Sequence, residues 1–182
     1  MSYVSRVFSL ARNRQRILSF ADRPVPPDLL ERIVDCGRYA TSAREAQPWR
    51  FVIVQSLQTR VRIAAECFNQ QQVRSAPCLV LCCARIHSHI TGSGRPSHPA
   101  DVAAATQAMI MAASDLGLAS LWITGFRESG MRDTVGIPQD VPIVSILGLG
   151  YPERFGGLPD RLPKADVIGW ETWSGRGVGP TG

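Results

Sequence analysis

The sequence predicts one globular domain in which helices and strands follow one another along the chain. Short, wholly apolar runs, such as residues 51–54 and 78–84, have the length and composition of buried strands. Longer segments repeat apolar residues at helical spacing, and 101–116 is the most regular of them. The 182 residues are 45% hydrophobic and 19% charged, which is the globular range and excludes disordered or collagen-like chains. We therefore expect a single domain over residues 1–182.

The first part of the chain predicts two helices joined by a stiff connector. Residues 2–18 carry apolar side chains at near-helical spacing between arginines, so we expect a helix with one apolar stripe. Prolines interrupt this pattern, and Pro27 suits the first turn of a second helix over 28–39. A turn is expected after this second helix.

The middle of the chain predicts two buried strands separated by a helix. Residues 51–54 are apolar at every position, which favours an interior strand of a sheet that is covered on both faces. Residues 57–75 predict one helix, which must stop before Pro77 because the residue preceding a proline disfavours helical geometry. Residues 78–84 predict the second buried strand.

A long loop and a long helix follow. Residues 87–99 contain two glycines and two prolines, which exclude regular structure and are typical of a functional lid or of local disorder. The helix over 101–116 is apolar on nearly all sides and is closed by Gly117 as a C-cap. We expect this helix at the centre of the structure and in contact with another chain.

The last third of the chain predicts shorter elements and an irregular end. Strands are expected over 121–125 and 143–151, with a short helix over 128–135 between them. Residues 152–182 are rich in glycine and proline and contain two tryptophans, so we expect an extended C-terminal arm that packs on another surface.

Cysteine usage and hydropathy indicate the compartment. The cysteines number five, and three of them lie in the apolar run 78–84, which favours buried thiols in a reducing compartment over disulfides. No stretch of 18 apolar residues occurs, and arginines follow the N-terminus too closely for the apolar core of a signal peptide. We expect a cytoplasmic protein with no membrane partner.

Charge and metal-ligand spacing argue against two further classes of partner. The net charge of +5 makes anionic partners worth considering, but the basic residues are scattered and form no polybasic run, so no nucleic-acid partner is expected. The chain has no CxxC pair, and His87, His89 and His98 have no acidic or cysteine ligand close by in sequence. We therefore expect no metal site.

The common catalytic motifs are absent from the sequence. There is no GxSxG elbow, no phosphate-binding Walker loop, no HExxH pair and no GxGxxG turn. We name no catalytic side chain for this reason. A chain with many arginines and amides but few acid or base candidates is typical of a protein whose bound organic cofactor carries the chemistry.

Five segments in a fixed order resemble the nitroreductase family of FMN-dependent oxidoreductases. Each segment alone is weak evidence for the family, but their joint order and spacing over residues 12–173 are specific for it. They are RQRILSF at 14–20 with Val25-Pro26, ATSAREAQPW at 40–49 leading into 51–54, Phe68-Asn69 before Ala76-Pro77, residues 101–126, and Gly136-Ile-Pro138 with 149–152 and 161–163.

The resemblance implies an α+β fold with a mixed β-sheet flanked by helices. It also implies an intertwined homodimer with FMN at the subunit interface. NADH or NADPH would reduce the FMN, and an electron-poor small molecule such as a nitroaromatic, quinone or enone would then accept the hydride in a ping-pong reaction. The loop 87–99 would influence which acceptors enter.

The resemblance also implies a set of cofactor-binding residues. Two arginines would bind the FMN phosphate, an asparagine and a glutamine would face the polar edge of the flavin ring, and a small polar turn would reach the flavin from the partner subunit. A threonine and a glycine would lie near flavin N5, with a tryptophan as a wall. The full set is Arg14, Gln15, Arg16, Thr41, Ser42, Glu45, Asn69, Gln72, Trp122, Thr124, Gly125 and Arg161.

Several positions depart from the family pattern. Arg16 replaces a serine, Leu18 replaces a basic residue, Glu45 replaces an asparagine and Gln72 stands where many members have a lysine. A carboxylate near a flavin phosphate is repulsive unless an arginine pairs with it. These departures leave open an alternative, a non-enzymatic flavin-binding protein or one that binds a different anion in the same fold.

Overall fold

The computed structural model describes residues 5–85 and 89–173. Within these ranges the helices are α1 Arg6–Asn13, α2 Pro27–Arg38, α3 Leu57–Glu66, α4 Gln71–Ser75, α5 His98–Asp115, α6 Glu128–Val135 and α7 Lys164–Val167. The strands are β1 Ile17–Phe20, β2 Trp49–Val54, β3 Cys78–Ala84, β4 Ala119–Ile123, β5 Ile143–Gly150 and β6 Pro152–Phe155, and a 3-10 turn spans Ala43–Glu45.

Four strands form the main sheet, in the order β2-β3-β5-β4. All seven residues of β3 are buried, as expected for a strand that is apolar throughout and lies inside a covered sheet. The pairs within this sheet are antiparallel, and so is the separate pair of β1 with β6. The α+β class is confirmed, whereas the sheet within the described residues has no parallel pair where the resemblance implied a mixed sheet.

Helices cover both faces of the main sheet. On one face α2 and α5 pack against alternate residues of β3 and β5, with Val80 and Leu147 in the same buried cluster. On the other face α3, α4, α6 and β1 pack around residues such as Leu81 and Ile146. The helix α5 is closely packed on α2, since a Cβ atom at Gly37 would lie 2.8 Å from Cγ of Met109. Only glycine allows this approach of the two helices.

The expected helix over 2–18 is wrong beyond Asn13. Arg14 has extended geometry, and residues 17–20 instead form β1, which pairs with β6. Ile17 and Phe20 are buried through this pairing, so a tertiary contact overrides the helical spacing. Residues 2–4 lie outside the described residues.

Two expectations for the middle of the chain also need correction. The helix over 57–75 is broken after α3, because Phe68 and Asn69 adopt left-handed φ values of +58° and +52° before α4 begins. The strand β2, expected in the interior, lies at an edge of the sheet, and Ile53 is 37% exposed. An apolar run alone does not distinguish an interior strand from an edge that another surface covers.

The bounds of β3 and α6 are those expected. The strand expected over 121–125 begins and ends two residues earlier, as β4, so Thr124 and Gly125 follow the strand rather than belong to it. The arm after residue 151 is less irregular than expected, because β6 and α7 form within it, and its residues 174–182 lie outside the described residues. In the loop 87–99 a bridge joins Ile90 to Pro96, α5 already begins at His98, and residues 86–88 are outside the described part.

Candidate functional site

Five of the twelve expected cofactor residues lie in segments that meet around β1. Arg16 immediately precedes β1, Asn69 and Gln72 belong to the α3–α4 junction, and Thr124 and Gly125 follow β4. The strand β1 is in contact with α4, with β4 and with β6. The fold therefore brings together three segments that are far apart in sequence, and we call these five residues the β1 cluster.

The segment after β4 is held against the end of α3 by Arg127. Its backbone N–H donates to the Glu66 carbonyl at 3.0 Å, and its Nε lies 3.1 Å from Glu66 Oε2. A second guanidinium nitrogen donates to the Ala65 carbonyl at 3.1 Å, and the guanidinium lies 5.7 Å from the centre of the Phe68 ring. These contacts fix residues 124–126 next to the Phe68-Asn69 turn.

The helix α4 is held against β1 by Ser75. The Phe20 backbone N–H donates to the Ser75 hydroxyl at 3.2 Å, and this hydroxyl donates to the Gln72 carbonyl, also at 3.2 Å. Gln72 is half-buried as a result. The amide side chain of Gln72 thus belongs to a short helix whose place beside β1 is fixed by hydrogen bonds.

Asn69 and Gly125 have backbone features that suit a ligand surface. Asn69 is exposed, and its left-handed conformation is held by a hydrogen bond from its backbone N–H to the Ala64 carbonyl at 2.9 Å. Asparagine tolerates this conformation better than most residues. A Cβ atom at Gly125 would meet no atom of the described chain within 4 Å, so the space next to this glycine is open.

Arg14 and Gln15 line a different feature, a cavity of about 320 Å³. The cavity lies between α1, the end of α5, the start of β4 and β6, and its polar lining includes Asn13 and Ser114. Arg16 does not line this cavity and lies against Gly156 instead, where a Cβ atom would approach Arg16 Nε to 3.3 Å and Leu18 Cδ2 to 3.1 Å. The three consecutive residues 14–16 therefore face two different environments.

The turn that contains Thr41, Ser42 and Glu45 lies away from the β1 cluster. A hydrogen bond connects the turn to α5, because the Ala43 backbone N–H donates to Asp101 Oδ1 at 2.9 Å. The Ser42 hydroxyl accepts the backbone N–H of Gln47 at 3.0 Å and closes the turn. The turn joins the β1 cluster only if a second subunit presents it, which is the arrangement that the resemblance implies.

Trp122 and Arg161 are not brought into the β1 cluster. Trp122 of β4 pairs with Leu147 of β5 and faces the side of the sheet that α5 covers. Its neighbours Leu121 and Ile123 face the other side, which α3 covers. Arg161 is exposed in the segment between β6 and α7. The roles of both residues remain predictions.

Three residues that organise this region were not among those expected from sequence. They are Ser75, Asp101 and Arg127. Asp101 lies at the start of the most regular helix, where an acidic residue is unremarkable, and the partners of Ser75 and Arg127 are 55 and 61 residues away. No spacing rule within the sequence could have paired them.

The buried cysteines are poor nucleophiles. Burial raises the pKa of Cys67 to about 11 and of Cys82 to about 11. Burial also raises the pKa of Cys78 and Cys83 to about 12. Cys36 alone is exposed, and none of the five forms a disulfide. Because the thiolate is the reactive form, the four buried thiols stay protonated and inert near neutral pH.

Within residues 5–85 and 89–173, no group of three or more histidine, cysteine, aspartate or glutamate side chains could hold a metal ion. His87 lies outside this part of the chain, and the absence of a metal at the three histidines stays a prediction. Among the same residues, no helix has both the length and the apolar character to cross a membrane.

The fold and the β1 cluster define an α+β protein with a polar surface around a short strand. The sequence profile of the Nitroreductase family matches residues 11–94 and 68–151. A protein of Methanothermobacter thermautotrophicus whose name combines NADH dehydrogenase and NAD(P)H nitroreductase is 30% identical over 172 residues, which are 92% of this chain and 87% of that protein. The chain belongs to the nitroreductase family, and this membership gives it a general oxidoreductase role.

Solved structures share the fold at lower identity. A nitroreductase family protein of Clostridium difficile has a TM-score of 0.83 at 24% identity, over 93% of this chain and 99% of that one. The NADPH:FMN oxidoreductase of Vibrio harveyi, solved with NAD⁺, has a TM-score of 0.83 at 21% identity, over 93% of this chain and 78% of that one. These similarities establish the architecture.

Proposed function

We propose that the protein is an FMN-dependent oxidoreductase that passes hydride from NADH or NADPH to an electron-poor acceptor such as a nitroaromatic, quinone or enone. The reaction would be ping-pong, with the nicotinamide leaving before the acceptor arrives. Bound FMN would supply the redox chemistry, and the protein would bind, orient and shield it. Family membership and the names of the relatives support this proposal.

The observation that carries the proposal is the contact between Arg127 and the end of α3. It places Asn69 and the pair Thr124 and Gly125, which the resemblance assigns to the flavin ring, in adjacent segments. The open space beside Gly125 fits a flat ring that approaches the backbone closely. The residues present therefore fit the cofactor.

In this proposal each group of residues has one task. Asn69 and Gln72 would offer amide donors to the polar edge of the flavin, and the backbone at Thr124 and Gly125 would offer an N–H near N5. Arg14 and Arg161 would bind the phosphate, because guanidinium groups match phosphate oxygens with two hydrogen bonds and stay charged at any working pH.

A homodimer is part of the proposal. On α1, Val7 is 66% exposed and Phe8 is 56% exposed, and in the C-terminal segment Trp173 is fully exposed. Large apolar side chains left in water are typical of an interface. A second subunit would cover these side chains and bring its turn with Thr41, Ser42 and Glu45 to the flavin.

The absorption spectrum of the purified protein tests the cofactor, and turnover tests the reaction. We expect a yellow protein with about one FMN per chain that oxidises NADH or NADPH continuously when a quinone is supplied. Oxidation that stops after one equivalent would instead favour the flavin-binding protein. A colourless protein that takes up no added FMN would mean that the departures from the family pattern at Arg16, Leu18 and Glu45 prevent FMN binding.

A further inference from the structure

We propose that Asp101 is a positioning residue that holds the turn of residues 42–47 in the conformation needed to face a flavin. This inference rests on the proposed function, because the resemblance assigns that turn to the flavin. Asp101 would not touch the cofactor itself. It would act through the backbone of the turn, from the first turn of α5.

The turn has an unusual backbone that requires support. Arg44, Glu45 and Gln47 have left-handed φ values of +52°, +54° and +45°, and none of the three is glycine. Side chains with a Cβ atom disfavour this region, and such residues persist only where the surroundings fix them. Three of them within four positions make the turn prone to relax to another conformation.

The hydrogen bonds within the turn are all local. The Glu45 N–H donates to the Ser42 carbonyl at 3.1 Å, the Ala46 N–H donates to the Ala43 carbonyl at 3.1 Å, and the Gln47 N–H donates to the Ser42 hydroxyl at 3.0 Å. Several turn types can form bonds of this kind. The hydrogen bond from Ala43 to Asp101 differs, because its acceptor belongs to a buried helix 58 residues away. It is the contact that fixes the turn in space.

Asp101 is built into the core rather than placed on the surface. Asp101 is 6% exposed, and its neighbours Val102 and Ala105 on α5 are buried in the cluster that contains Val80 and Leu147. Among the described residues, its second oxygen, Oδ2, has no hydrogen-bond partner, and neither does the hydroxyl of Ser97 one helical turn before it. A buried carboxylate with an unpartnered oxygen does not favour stability, which indicates that the residue serves the turn.

The same end of α5 also supports the loop that precedes it. The Asp101 N–H donates to the Ser97 carbonyl at 3.1 Å, and the Ser97 N–H donates to the His89 carbonyl at 2.8 Å. The start of α5 is therefore hydrogen-bonded both to the turn and to the loop that we expect to influence acceptor entry.

The test compares Asp101→Ala and Asp101→Asn with Asp115→Ala, a control on the same helix. Asp115 forms an exposed ion pair with Arg6 at 2.6 Å and is remote from the turn. Two quantities are measured on the purified protein: the FMN dissociation constant, and amide hydrogen exchange in peptides that cover residues 42–47 and β3. Exchange reports on the turn whether or not flavin is bound.

We expect Asp101→Ala to raise the FMN dissociation constant at least about ten-fold, as for loss of a charge-assisted hydrogen bond. Exchange should accelerate in residues 42–47 and stay unchanged in β3. Asp101→Asn, whose amide oxygen still accepts from Ala43, should rescue most of the loss, and Asp115→Ala should match the wild type.

Three results would overturn the proposal. The first is that Asp101→Ala leaves hydrogen exchange at residues 42–47 unchanged. The second is that exchange there becomes faster while the FMN affinity stays the same. The third is that exchange rises equally in β3, which would make Asp101 a purely structural residue. If Asp101→Ala does not fold, the same comparison is made with Asp101→Asn alone, and full loss of affinity in that variant would also contradict the proposal. A wild type that binds no FMN would contradict the proposed function, and exchange would then decide alone whether Asp101 holds the turn.

Discussion

The guanidinium of Arg127 and the carboxylate of Glu66 lie 3.1 Å apart and join the segment after β4 to the end of α3. Glu66 is 22% exposed and Arg127 is 60% exposed, so water weakens the charge attraction. The backbone bond to Glu66 and the bond to Ala65 add geometric constraint to it. The ion pair therefore contributes more to the arrangement of the β1 cluster than to overall stability.

We expect Arg127→Gln to raise the FMN dissociation constant by roughly three- to ten-fold, with little change in melting temperature. The reason is that residues 124–126 lose their side-chain contacts with α3. Flavin fluorescence during titration of the stripped protein measures the constant. Arg38→Gln is the matched control for loss of an exposed ion pair, since Arg38 pairs with Asp35 at 2.7 Å within α2 and is not part of the β1 cluster.

A second variant disturbs the same ion pair from the other side. A side chain at Gly130 would collide with the Glu66 carboxylate, so Gly130→Ala should displace Glu66 from Arg127 while favouring the helix α6. We expect the FMN dissociation constant to rise as in Arg127→Gln, with no added effect in the double variant. An additive effect in the double variant would show that the two residues act separately.

The phosphate assignment predicts loss of cofactor when two arginines are removed together. Arg14→Gln with Arg161→Gln should yield protein that purifies without FMN, because no charge-assisted bonds to the phosphate remain. Arg12→Gln with Arg154→Gln is the control, since both residues are exposed and lie in the neighbouring elements α1 and β6. A yellow Arg14/Arg161 double variant with full occupancy would contradict the assignment.

Much of the secondary structure follows from the sequence where one physical signal dominates. The strand β3 has the expected bounds because seven consecutive apolar residues can be buried on both faces only within a sheet. The helix α6 has the expected end because Gly136 adopts a left-handed φ of +68° and caps it. These are local signals that need no knowledge of the rest of the chain.

The remainder depends on contacts that no local pattern contains. The helical spacing of 2–18 continues into β1, and only the pairing of Ile17 with Phe155 identifies the strand. The break at Phe68 and Asn69 places two residues with a Cβ atom in a left-handed conformation, which spacing cannot predict. The resemblance alone supplies the expected site residues, whereas the contacts of Arg127 and Asp101 depend on the three-dimensional fold.

Arg132 predicts a stability effect that is independent of the cofactor. It is 8% exposed, donates to the carbonyls of Pro138 at 2.6 Å and Val141 at 2.7 Å, and pairs with Glu128. Arg132→Met should lower the free energy of unfolding by about 2–4 kcal/mol, because two carbonyls lose their partner. Urea unfolding measures this change. Glu128→Gln, at the exposed end of the pair, should lower it by about 1 kcal/mol or less.

The buried thiols predict how stability changes at alkaline pH. Burial raises the pKa of Cys78 and Cys83 from 9.0 to about 12, so the folded protein holds these protons more tightly than the unfolded chain does. The stabilisation is complete below the unfolded pKa and is lost as pH rises from about 9 towards 12. The free energy of unfolding by urea should therefore fall as the pH rises from about 9 towards 12, because the unfolded thiols ionise first.

Alkylation under native conditions tests whether burial is the cause of this pH dependence. Cys36 is the exposed thiol, so one equivalent of a thiol reagent should react rapidly near neutral pH and four more should react only after unfolding. Cys36→Ser should remove the rapid reaction, because the remaining four thiols are buried. Rapid reaction of more than one thiol in the folded wild type would mean that β3 opens readily, and the predicted alkaline loss of stability would then be absent.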